Sequence, residues 1–320
     1  MKISIVGAGA WSTAISRLLI KGDHEVTLCA RQRCDAEKME KSRENKKHLP
    51  GVKLPDSLKF SYFDEIPSCD IAIFGVPAQH VRETLERVNF KAGGIVNLAK
   101  GLEIKSLKRM EEVFSEYIKN SDYASLSGPS HAEEVAADIP TSVVVSSRNS
   151  EFSKVVQELF SATSFRVYTS EDLTGIEIGG ALKNVIAIAA GVVDGLGGWD
   201  NSKAAIMTRG LAEITQIGVK LGANPLTFMG LSGLGDLVVT CTSRHSRNRR
   251  VGEIIGKGMN LPKESTFVAE GLHTVVAELK LAKKLHVEVP IAQAVYSLVY
   301  ENFSPKAMIL KLMNRPLKKE

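Results

Sequence analysis

A lysine stands inside the apolar stretch IEIGGALKNVIAIAAGVVDGLGG. Helical spacing places mainly small or acidic residues on the face that carries Lys183, namely Asp172, Gly179, Gly180, Ala187, Ala190 and Asp194. Small side chains allow close approach of either another backbone or a ligand. A lysine partly removed from water there would have the pKa of its ammonium lowered toward the range in which it exchanges a proton with a substrate. The alternative is a buried stem whose ammonium reaches water.

A second polar stretch, GLSGLGDLVVTCTSRHSRNRR, places Asp236 after a glycine-rich turn. It then crowds four arginines into seven residues, at positions 244, 247, 249 and 250. Arginine, together with the hydroxyl of Ser246 and the amide of Asn248, suits a phosphate monoester. A solvated basic loop and an RNA-binding patch are the alternatives. No aromatic residue lies between the arginines to stack on bases, so we expect a phosphorylated small molecule and no nucleic acid.

The N-terminal stretch GAGAWSTAIS matches two of the three glycines of the dinucleotide fingerprint G-x-G-x-x-G. Gly7 would make the tight turn from strand to helix, and Gly9 would let a pyrophosphate approach the amides of the helix N-terminus. Ser12 replaces the third glycine, whose role is close packing of helix on strand, so a small displacement could absorb it. The alternative is an ordinary turn between a strand and a helix.

Arg31 ends the second candidate strand, EVTLCA. An acidic residue at this position binds a free ribose 2′-hydroxyl, whereas an arginine accommodates a 2′-phosphate. The sequence therefore predicts a preference for NADP(H), with NAD(H) also usable. A surface arginine without a ligand is the alternative.

The composition is that of an ordinary globular protein, since 44% of the 320 residues are hydrophobic and 24% are charged. The net charge of +5 suits anionic small molecules. Four cysteines without C-x-x-C spacing predict reduced thiols and no metal site. Because Glu177, Lys183, Asn184 and Asp194 interrupt the longest apolar stretch, we expect a buried helix and no integral membrane segment. A strand that begins by Ile3 leaves no room for a targeting segment, so we expect a cytoplasmic protein.

Short apolar runs alternate with amphipathic stretches in the first half of the chain, as in βαβ units. The predicted strands are KISIVG, EVTLCA, IAIFGV, GIVNLA, YASLS, TSVVVS and FRVYT. After about residue 172 the pattern becomes helical. We therefore predict an α/β fold, with a Rossmann-type NAD(P)-binding domain over 1–172 and an all-helical substrate-binding and catalytic domain over 173–320. Several strands end in cationic or small polar residues, which predicts a cleft at the carboxyl edge of the sheet.

The sequence resembles the bacterial-type NAD(P)-dependent glycerol-3-phosphate dehydrogenases along essentially the whole chain. The motifs that carry the resemblance are GAGAWSTA, NKKHLPGVKLP, AKGLE, LSGPSHAEEVA, EIGGALKNVIAIAAGVVDGLG, NSKAAIMTRGL, GLGDLVVTCTSRHSRNRR, VAEG and PIAQAVYSLVY. The resemblance implies reversible reduction of dihydroxyacetone phosphate to sn-glycerol 3-phosphate, which feeds glycerophospholipid synthesis.

The matching motif positions imply roles for individual residues. The resemblance makes Lys183 the proton donor and acceptor, with Lys100 and Asp236 completing the catalytic cluster. The implied substrate-binding residues are Lys100, Gly128, Ser130, Lys183, Asp236, Ser246, Arg247 and Asn248. The implied cofactor-binding residues are Gly7, Gly9, Ala10, Trp11, Arg31, Lys100, Ala132, Arg247, Val268 and Glu270.

Three positions depart from the family pattern, which usually has serine at Ala10, glycine at Ser12 and an aromatic residue at His131. Two alternative functions stay open: a β-hydroxyacid dehydrogenase, which would need a carboxylate clamp, and a catalytically silent NADP-binding regulator. The sequence also leaves the oligomeric state open, with a homodimer among the alternatives.

Overall fold

The computed structural model describes residues 1–161, 163–261 and 269–316. The chain divides into two compact units. The N-terminal unit comprises Met1–Lys100 and Lys108–Glu177, and the C-terminal unit comprises Gly101–Leu107 and Ile178–Glu320.

The N-terminal unit contains one eight-stranded sheet. Its strands are β1 (Lys2–Val6), β2 (Glu25–Ala30), β3 (Lys59–Tyr62), β4 (Cys69–Phe74), β5 (Ala92–Asn97), β6 (Asp122–Ser127), β7 (Thr141–Ser147) and β8 (Phe165–Ser170). The helices of this unit are α1 (Ala10–Lys21), α2 (Arg33–Ser42), α3 (Val81–Arg87), α4 (Met110–Tyr117), α5 (Ala132–Ala136) and α6 (Ser150–Glu158).

The strand order is β3-β2-β1-β4-β5-β6-β7-β8, so the order reverses between β1 and β4. Every neighbouring pair is parallel except β6 and β7. A parallel connection needs a crossover that runs back along the sheet. The five-residue α5 between β6 and β7 spans only about 7 Å, too little for that return, so β7 runs antiparallel.

Alternate residues of the central strands enter two different hydrophobic cores. Ile71 and Ile73 of β4 belong to one buried cluster, whereas Ala72 and Phe74 belong to another. Successive side chains of a strand point to opposite faces, so both faces of the sheet are covered. This burial explains why these strands appear as continuous apolar runs in the sequence.

The seven predicted strands are confirmed, and β3 is an additional one. Its sequence, KFSY, has four partly or fully exposed residues at the edge of the sheet. Such a short edge strand has no apolar run to reveal it.

The C-terminal unit is helical in its described part. Its helices are α7 (Leu173–Leu196, whose first turn lies in the N-terminal unit), α8 (Asp200–Lys220), α9 (Asp236–Thr242), α10 (Arg247–Gly256), α11 (Glu270–Leu285), α12 (Pro290–Tyr300) and α13 (Pro305–Met313). The five stretches whose helical periodicity predicts a helix, LTGIEIGGALKNVIAIAAGVV, AAIMTRGLAEITQIGVKLG, HTVVAELKLAKKL, IAQAVYSLVY and AMILKLM, correspond to α7, α8, α11, α12 and α13, respectively. Sequence reasoning missed α9 and α10, which are short and begin in the glycine- and arginine-rich stretch.

Helices α7 and α10 cross with their backbones in contact. A Cβ atom added at Gly191 would meet the carbonyl of Arg249, and one added at Gly252 would meet the carbonyl of Ile188. Four glycines, spaced four residues apart on each helix, permit this approach: Gly191, Gly195, Gly252 and Gly256. On the face that carries Lys183, a Cβ atom added at Gly179 would likewise lie 2.7 Å from the carbonyl of Ser232, so this small residue also permits close backbone approach.

Helix α7 is the one described helix that is long and apolar enough to cross a membrane. Its most apolar window is entirely buried within the protein. Burial in the core of the C-terminal unit therefore accounts for its apolar composition.

Candidate active site

The turn between β1 and α1 lies where the strand order reverses. Gly7 has φ +101°, a conformation that favours glycine, and a Cβ atom there would lie 2.8 Å from Cγ1 of Val76. The amide of Gly7 donates to the carbonyl of Cys29 at 2.9 Å, and the amide of Gly75 donates to the carbonyl of Val6 at 2.9 Å. The carboxyl ends of β1, β2 and β4 thus meet at this turn.

Gly9 is the N-cap residue of α1, and Ala10 and Trp11 are its first two helical residues. Among the described residues, no side chain caps the amides of this first turn. A helix N-terminus with uncapped amides binds anions. Because Gly7 is a glycine, it brings no Cβ atom into this turn. These features fit the pyrophosphate of a dinucleotide.

Ser12 is fully buried, and its Oγ donates to the carbonyl of Gly75 at 3.3 Å. A Cβ atom at Gly75 would collide with this hydroxyl. Gly75 therefore makes the room that the missing third glycine of the fingerprint would otherwise provide.

Asn45 is a residue of this turn that sequence reasoning missed. Its Nδ2 donates to the carbonyl of Ala8 at 2.9 Å and to Oγ1 of Thr13 at 2.8 Å, and the side chain is buried. Asn45 lies 37 residues from Ala8. Its position in the motif NKKHLPGVKLP was the only signal in the sequence, and that signal does not reveal the contact.

Arg31 follows β2 and is exposed, with its Nη2 donating to Oε1 of Glu83 at 2.9 Å. Trp11 is partly buried and its ring centroid lies 5.9 Å from that of Phe165. Ala132 is the first residue of α5 and is buried. His131, which precedes it, is partly buried.

Three predicted residues of the N-terminal unit come together after β5 and β6. Nζ of Lys100 and Oγ of Ser130 both donate to the carbonyl of Gly128 at 2.9 Å. Gly128 has φ +133°, and a Cβ atom there would lie 2.9 Å from the backbone of Val143. Only glycine fits this turn, which places an ammonium and a hydroxyl at the carboxyl edge of the sheet.

A buried polar cluster lies in the C-terminal unit. Nζ of Lys183 on α7 donates to Oδ1 of Asp236 and, at 2.7 Å, to Oγ1 of Thr240, both on α9. All three side chains are buried. Burial disfavours a charged ammonium, but the adjacent carboxylate favours it, so Asp236 opposes the desolvation expected from the sequence. Sequence reasoning missed Thr240, although its position one helical turn after Asp236 could have indicated it.

Ser246, Arg247 and Asn248 lie at the start of α10. Oγ of Ser246 accepts from the amide of Arg249 at 3.2 Å and caps the helix, while Arg247 is exposed. Nδ2 of the buried Asn248 donates to Oδ1 of Asn184 at 2.8 Å, and its Oδ1 accepts from the amide of Gly271.

The four arginines of this stretch do not form one group. Nε of Arg249 donates to Oδ2 of Asp194 at 2.6 Å, and Lys203 also forms an ion pair with Asp194. Arg249 therefore belongs to a structural ion-pair cluster.

The predicted residues thus fall into two sets by unit, and hydrogen bonds join Lys100 and Ser130 to Gly128 in one set and Lys183 to Asp236 in the other. The N-terminal set comprises Gly7, Gly9, Ala10, Trp11, Arg31, Lys100, Gly128, Ser130 and Ala132. The C-terminal set comprises Lys183, Asp236, Ser246, Arg247, Asn248 and Glu270. Glu270 begins α11, whereas Val268 lies outside the described residues.

A glycine turn at the strand-order reversal of a mainly parallel sheet, followed by a helical unit, defines the class of Rossmann-type proteins with a helical second part. Two family models, described as the N-terminus and the C-terminus of NAD-dependent glycerol-3-phosphate dehydrogenase, match residues 2–153 and 172–310. The chain belongs to this family.

Individual relatives agree with this assignment. The chain is 47% identical over 325 residues to glycerol-3-phosphate dehydrogenase [NAD(P)+] of Pelotomaculum thermopropionicum, covering 98% of this chain and 93% of the relative. It is 46% identical to the enzyme of the same name from a Thermoanaerobacter species, covering 100% and 99%. The crystal structure of glycerol-3-phosphate dehydrogenase from Coxiella burnetii superposes with a TM-score of 0.89 at 33% identity, covering 98% and 99%.

Proposed function

We propose that the protein catalyses the reversible NAD(P)H-dependent reduction of dihydroxyacetone phosphate to sn-glycerol 3-phosphate, which supplies glycerophospholipid synthesis. The observation that carries this proposal is the buried Lys183, Asp236 and Thr240 cluster in a chain of this family. A buried ammonium held by a carboxylate and a hydroxyl suits proton transfer to and from a carbinol oxygen.

The cofactor-binding residues are proposed from the turn geometry and the family motifs. The amides of the first turn of α1 would hold the pyrophosphate of NAD(P)H, and Arg31 would contact a ribose 2′-phosphate, which favours NADP(H) over NAD(H). The complete proposed set is Gly7, Gly9, Ala10, Trp11, Arg31, Lys100, Ala132, Arg247, Val268 and Glu270.

Bound NAD(P)H supplies the hydride that reduces the ketone carbon of the substrate. Lys183 donates a proton from Nζ to the oxygen that becomes the alcohol, and takes it back in the reverse reaction. Asp236 and Thr240 fix the position of Nζ through hydrogen bonds from it. Lys100 provides a second positive charge that lowers the energy of the developing alkoxide.

The substrate phosphate is the group that positions the reacting carbon. The side chains of Ser246, Arg247 and Asn248 offer hydroxyl, guanidinium and amide donors, which suit a phosphate monoester. Gly128 and Ser130 are also among the proposed substrate-binding residues. Binding energy at the phosphate, remote from the reacting carbon, supports orientation.

The domain roles follow from these assignments. We propose residues 1–172 as the NAD(P)-binding domain and residues 173–320 as the substrate-binding and catalytic domain. We further propose a cytoplasmic enzyme, with a homodimer as the arrangement to test by light scattering.

A spectrophotometric assay tests the proposed function. Purified protein with NADPH should oxidise the cofactor when dihydroxyacetone phosphate is added, and should form glycerol 3-phosphate in equal amount. It should show no turnover with 2-oxo or 3-oxo acids, which a β-hydroxyacid dehydrogenase would use. Cofactor binding without turnover of dihydroxyacetone phosphate would instead support a silent regulator.

A further inference from the structure

Glu83 lies beside the arginine that follows β2. Its Oε1 accepts from Nη2 of Arg31 at 2.9 Å, and its Oε2 lies 3.3 Å from Nδ1 of His80. Both carboxyl oxygens are therefore in contact with a neighbouring side chain. The motifs that indicated a cofactor site do not include Glu83.

The position of this ion pair in the sheet connects it with the glycine turn. Glu83 lies in the first turn of α3, which follows β4, whereas Arg31 follows β2. Strands β2 and β4 are the two neighbours of β1. The ion pair thus joins the segments on either side of β1, at the edge where the Gly7 turn begins.

We propose that Glu83 determines coenzyme choice by competing with a ribose 2′-phosphate for the guanidinium of Arg31. This inference rests on the proposed function. The carboxylate already takes one edge of the guanidinium and has the same sign of charge as the phosphate. A ribose 2′-hydroxyl is neutral and can donate to a carboxylate, so Glu83 opposes NADP(H) while it tolerates NAD(H). A protein with both residues accepts both cofactors.

The exposure of the ion pair makes this competition reversible. The side chains of Arg31 and Glu83 are 57% and 58% exposed. Ion pairs so exposed are weak and sensitive to salt. A 2′-phosphate can therefore displace Glu83, but only at the cost of some affinity.

Direct titration of the nicotinamide fluorescence of NADPH and NADH tests the proposal. The variant Glu83→Gln should lower the Kd for NADPH by about three- to tenfold. The Kd for NADH should either stay within about twofold of the wild-type value or rise. The difference between variant and wild type should shrink as salt is added. An unchanged or higher Kd for NADPH in Glu83→Gln would overturn the proposal.

The matched control is Glu86→Gln, which removes the same charge from the same helix. Glu86 instead accepts from the hydroxyl of Tyr117 at 2.7 Å. In Glu86→Gln, the ratio of the Kd for NADPH to the Kd for NADH should equal that of the wild type. An equal effect in both variants would show that net charge alone is responsible, against the proposal.

A double-mutant cycle separates competition for Arg31 from simple repulsion. In an Arg31→Ala background, Glu83→Gln should change the Kd for NADPH by less than half of its effect in the wild type. A full effect without Arg31 would contradict the mechanism.

Turnover of dihydroxyacetone phosphate is measured on the same preparations. If the protein turns over dihydroxyacetone phosphate but Glu83→Gln leaves the ratio of the two Kd values unchanged, only the role of Glu83 is refuted. If the ratio shifts but no turnover occurs, the proposed reaction is refuted.

Discussion

Lys183 illustrates how a single residue depends on its partners. An isolated buried lysine would lose its charge, but Asp236 and Thr240 accept its hydrogen bonds. Lys183 lies on α7, 53 and 57 positions from Asp236 and Thr240 on α9. Their effect on the reaction is therefore expected to be collective.

Replacement of Lys183 tests its role as the proton donor. Lys183→Met keeps the length of the side chain but has no proton to donate, so kcat should fall by about 10²- to 10⁴-fold. Because Lys183 is not among the proposed cofactor-binding residues, the Kd for NADPH should change by less than about threefold. Steady-state kinetics and fluorescence titration provide the two measurements, and retention of more than a tenth of the wild-type kcat would rule out this role.

Replacement of Arg31 tests its role in recognising the ribose. A charge-assisted interaction with a 2′-phosphate contributes about 1.5–3 kcal/mol, so kcat/KM with NADPH should exceed that with NADH by about tenfold or more in the wild type. Arg31→Asp should reverse this order, because the carboxylate repels the phosphate and accepts from a hydroxyl.

The control for Arg31 is Arg166→Asp, which places the same charge change on β8 at the far end of the sheet order. This control should keep the wild-type ratio. If Arg31→Asp still prefers NADPH, then Arg31 does not contact the ribose.

At the scale of elements, the crossing of α7 and α10 positions the C-terminal set of site residues. Lys183 lies on α7, and Ser246 caps α10. The distance between these helices therefore determines how far apart the two residues lie. Backbone contact at Gly191, Gly195, Gly252 and Gly256 sets that distance. The arginine-rich stretch is therefore held as a helix N-terminus and is not a loose basic loop.

A single added methyl group tests this crossing. Gly→Ala inside a helix normally stabilises it by up to about 1 kcal/mol. Gly252→Ala should instead lower the free energy of unfolding by about 1–3 kcal/mol, because the new Cβ meets the carbonyl of Ile188. Urea denaturation measures the difference. The control, Thr208→Ala at an exposed site on α8, should change stability by less than about 0.5 kcal/mol. A stabilising effect of Gly252→Ala would contradict the close crossing.

At the scale of the whole molecule, buried carboxyl groups make stability depend on pH. Burial raises the pKa of Glu177 and of Glu213 from 4.5 to about 7, although Arg109 and the amide of Ile291, respectively, act in the opposite direction. Burial, together with the charge of Glu213, raises the pKa of Glu278 well above its ordinary value. Groups with a raised pKa in the folded state bind protons on folding. The stabilising contribution of Glu177 and Glu213 is complete below pH 4.5 and is lost as the pH rises through about 7.

Glu278 is the buried carboxyl whose replacement tests this dependence. It is fully buried on α11, and neither of its carboxyl oxygens has a hydrogen-bond partner among the described residues. Glu278→Leu keeps a similar volume and removes the unsatisfied polar group, so it should raise the free energy of unfolding by about 1–3 kcal/mol. The gain in Tm should increase as the pH rises above about 4.5, because the wild-type carboxyl ionises in the unfolded chain while burial keeps it protonated in the folded protein.

Thermal unfolding at several pH values measures this effect. The control, Glu158→Leu, changes an exposed carboxyl on α6 and should leave the dependence of Tm on pH unchanged. Parallel Tm curves for Glu278→Leu and the wild type would show that the pKa of Glu278 is the same in the folded and unfolded states.

The sequence by itself predicted the features that depend on local pattern. Apolar runs identified seven strands, and helical periodicity identified α7 as a buried helix that carries Lys183. The glycine pair located the turn at the start of α1, where the structure leaves no room for a Cβ atom at Gly7. The family motifs supplied the reaction. These features are local because each depends on the chemistry of neighbouring residues in the chain.

Only the tertiary structure decided which distant side chains meet. Three contacts join residues that are far apart in the chain. Asn45 and Ala8 are 37 positions apart, Thr240 and Lys183 are 57 apart, and Glu83 and Arg31 are 52 apart. Periodicity places a residue on a face of its own element but does not determine the residue opposite it, which depends on how the elements pack. For the same reason the antiparallel direction of β7 and the role of the α7 glycines became evident only when the elements were assembled.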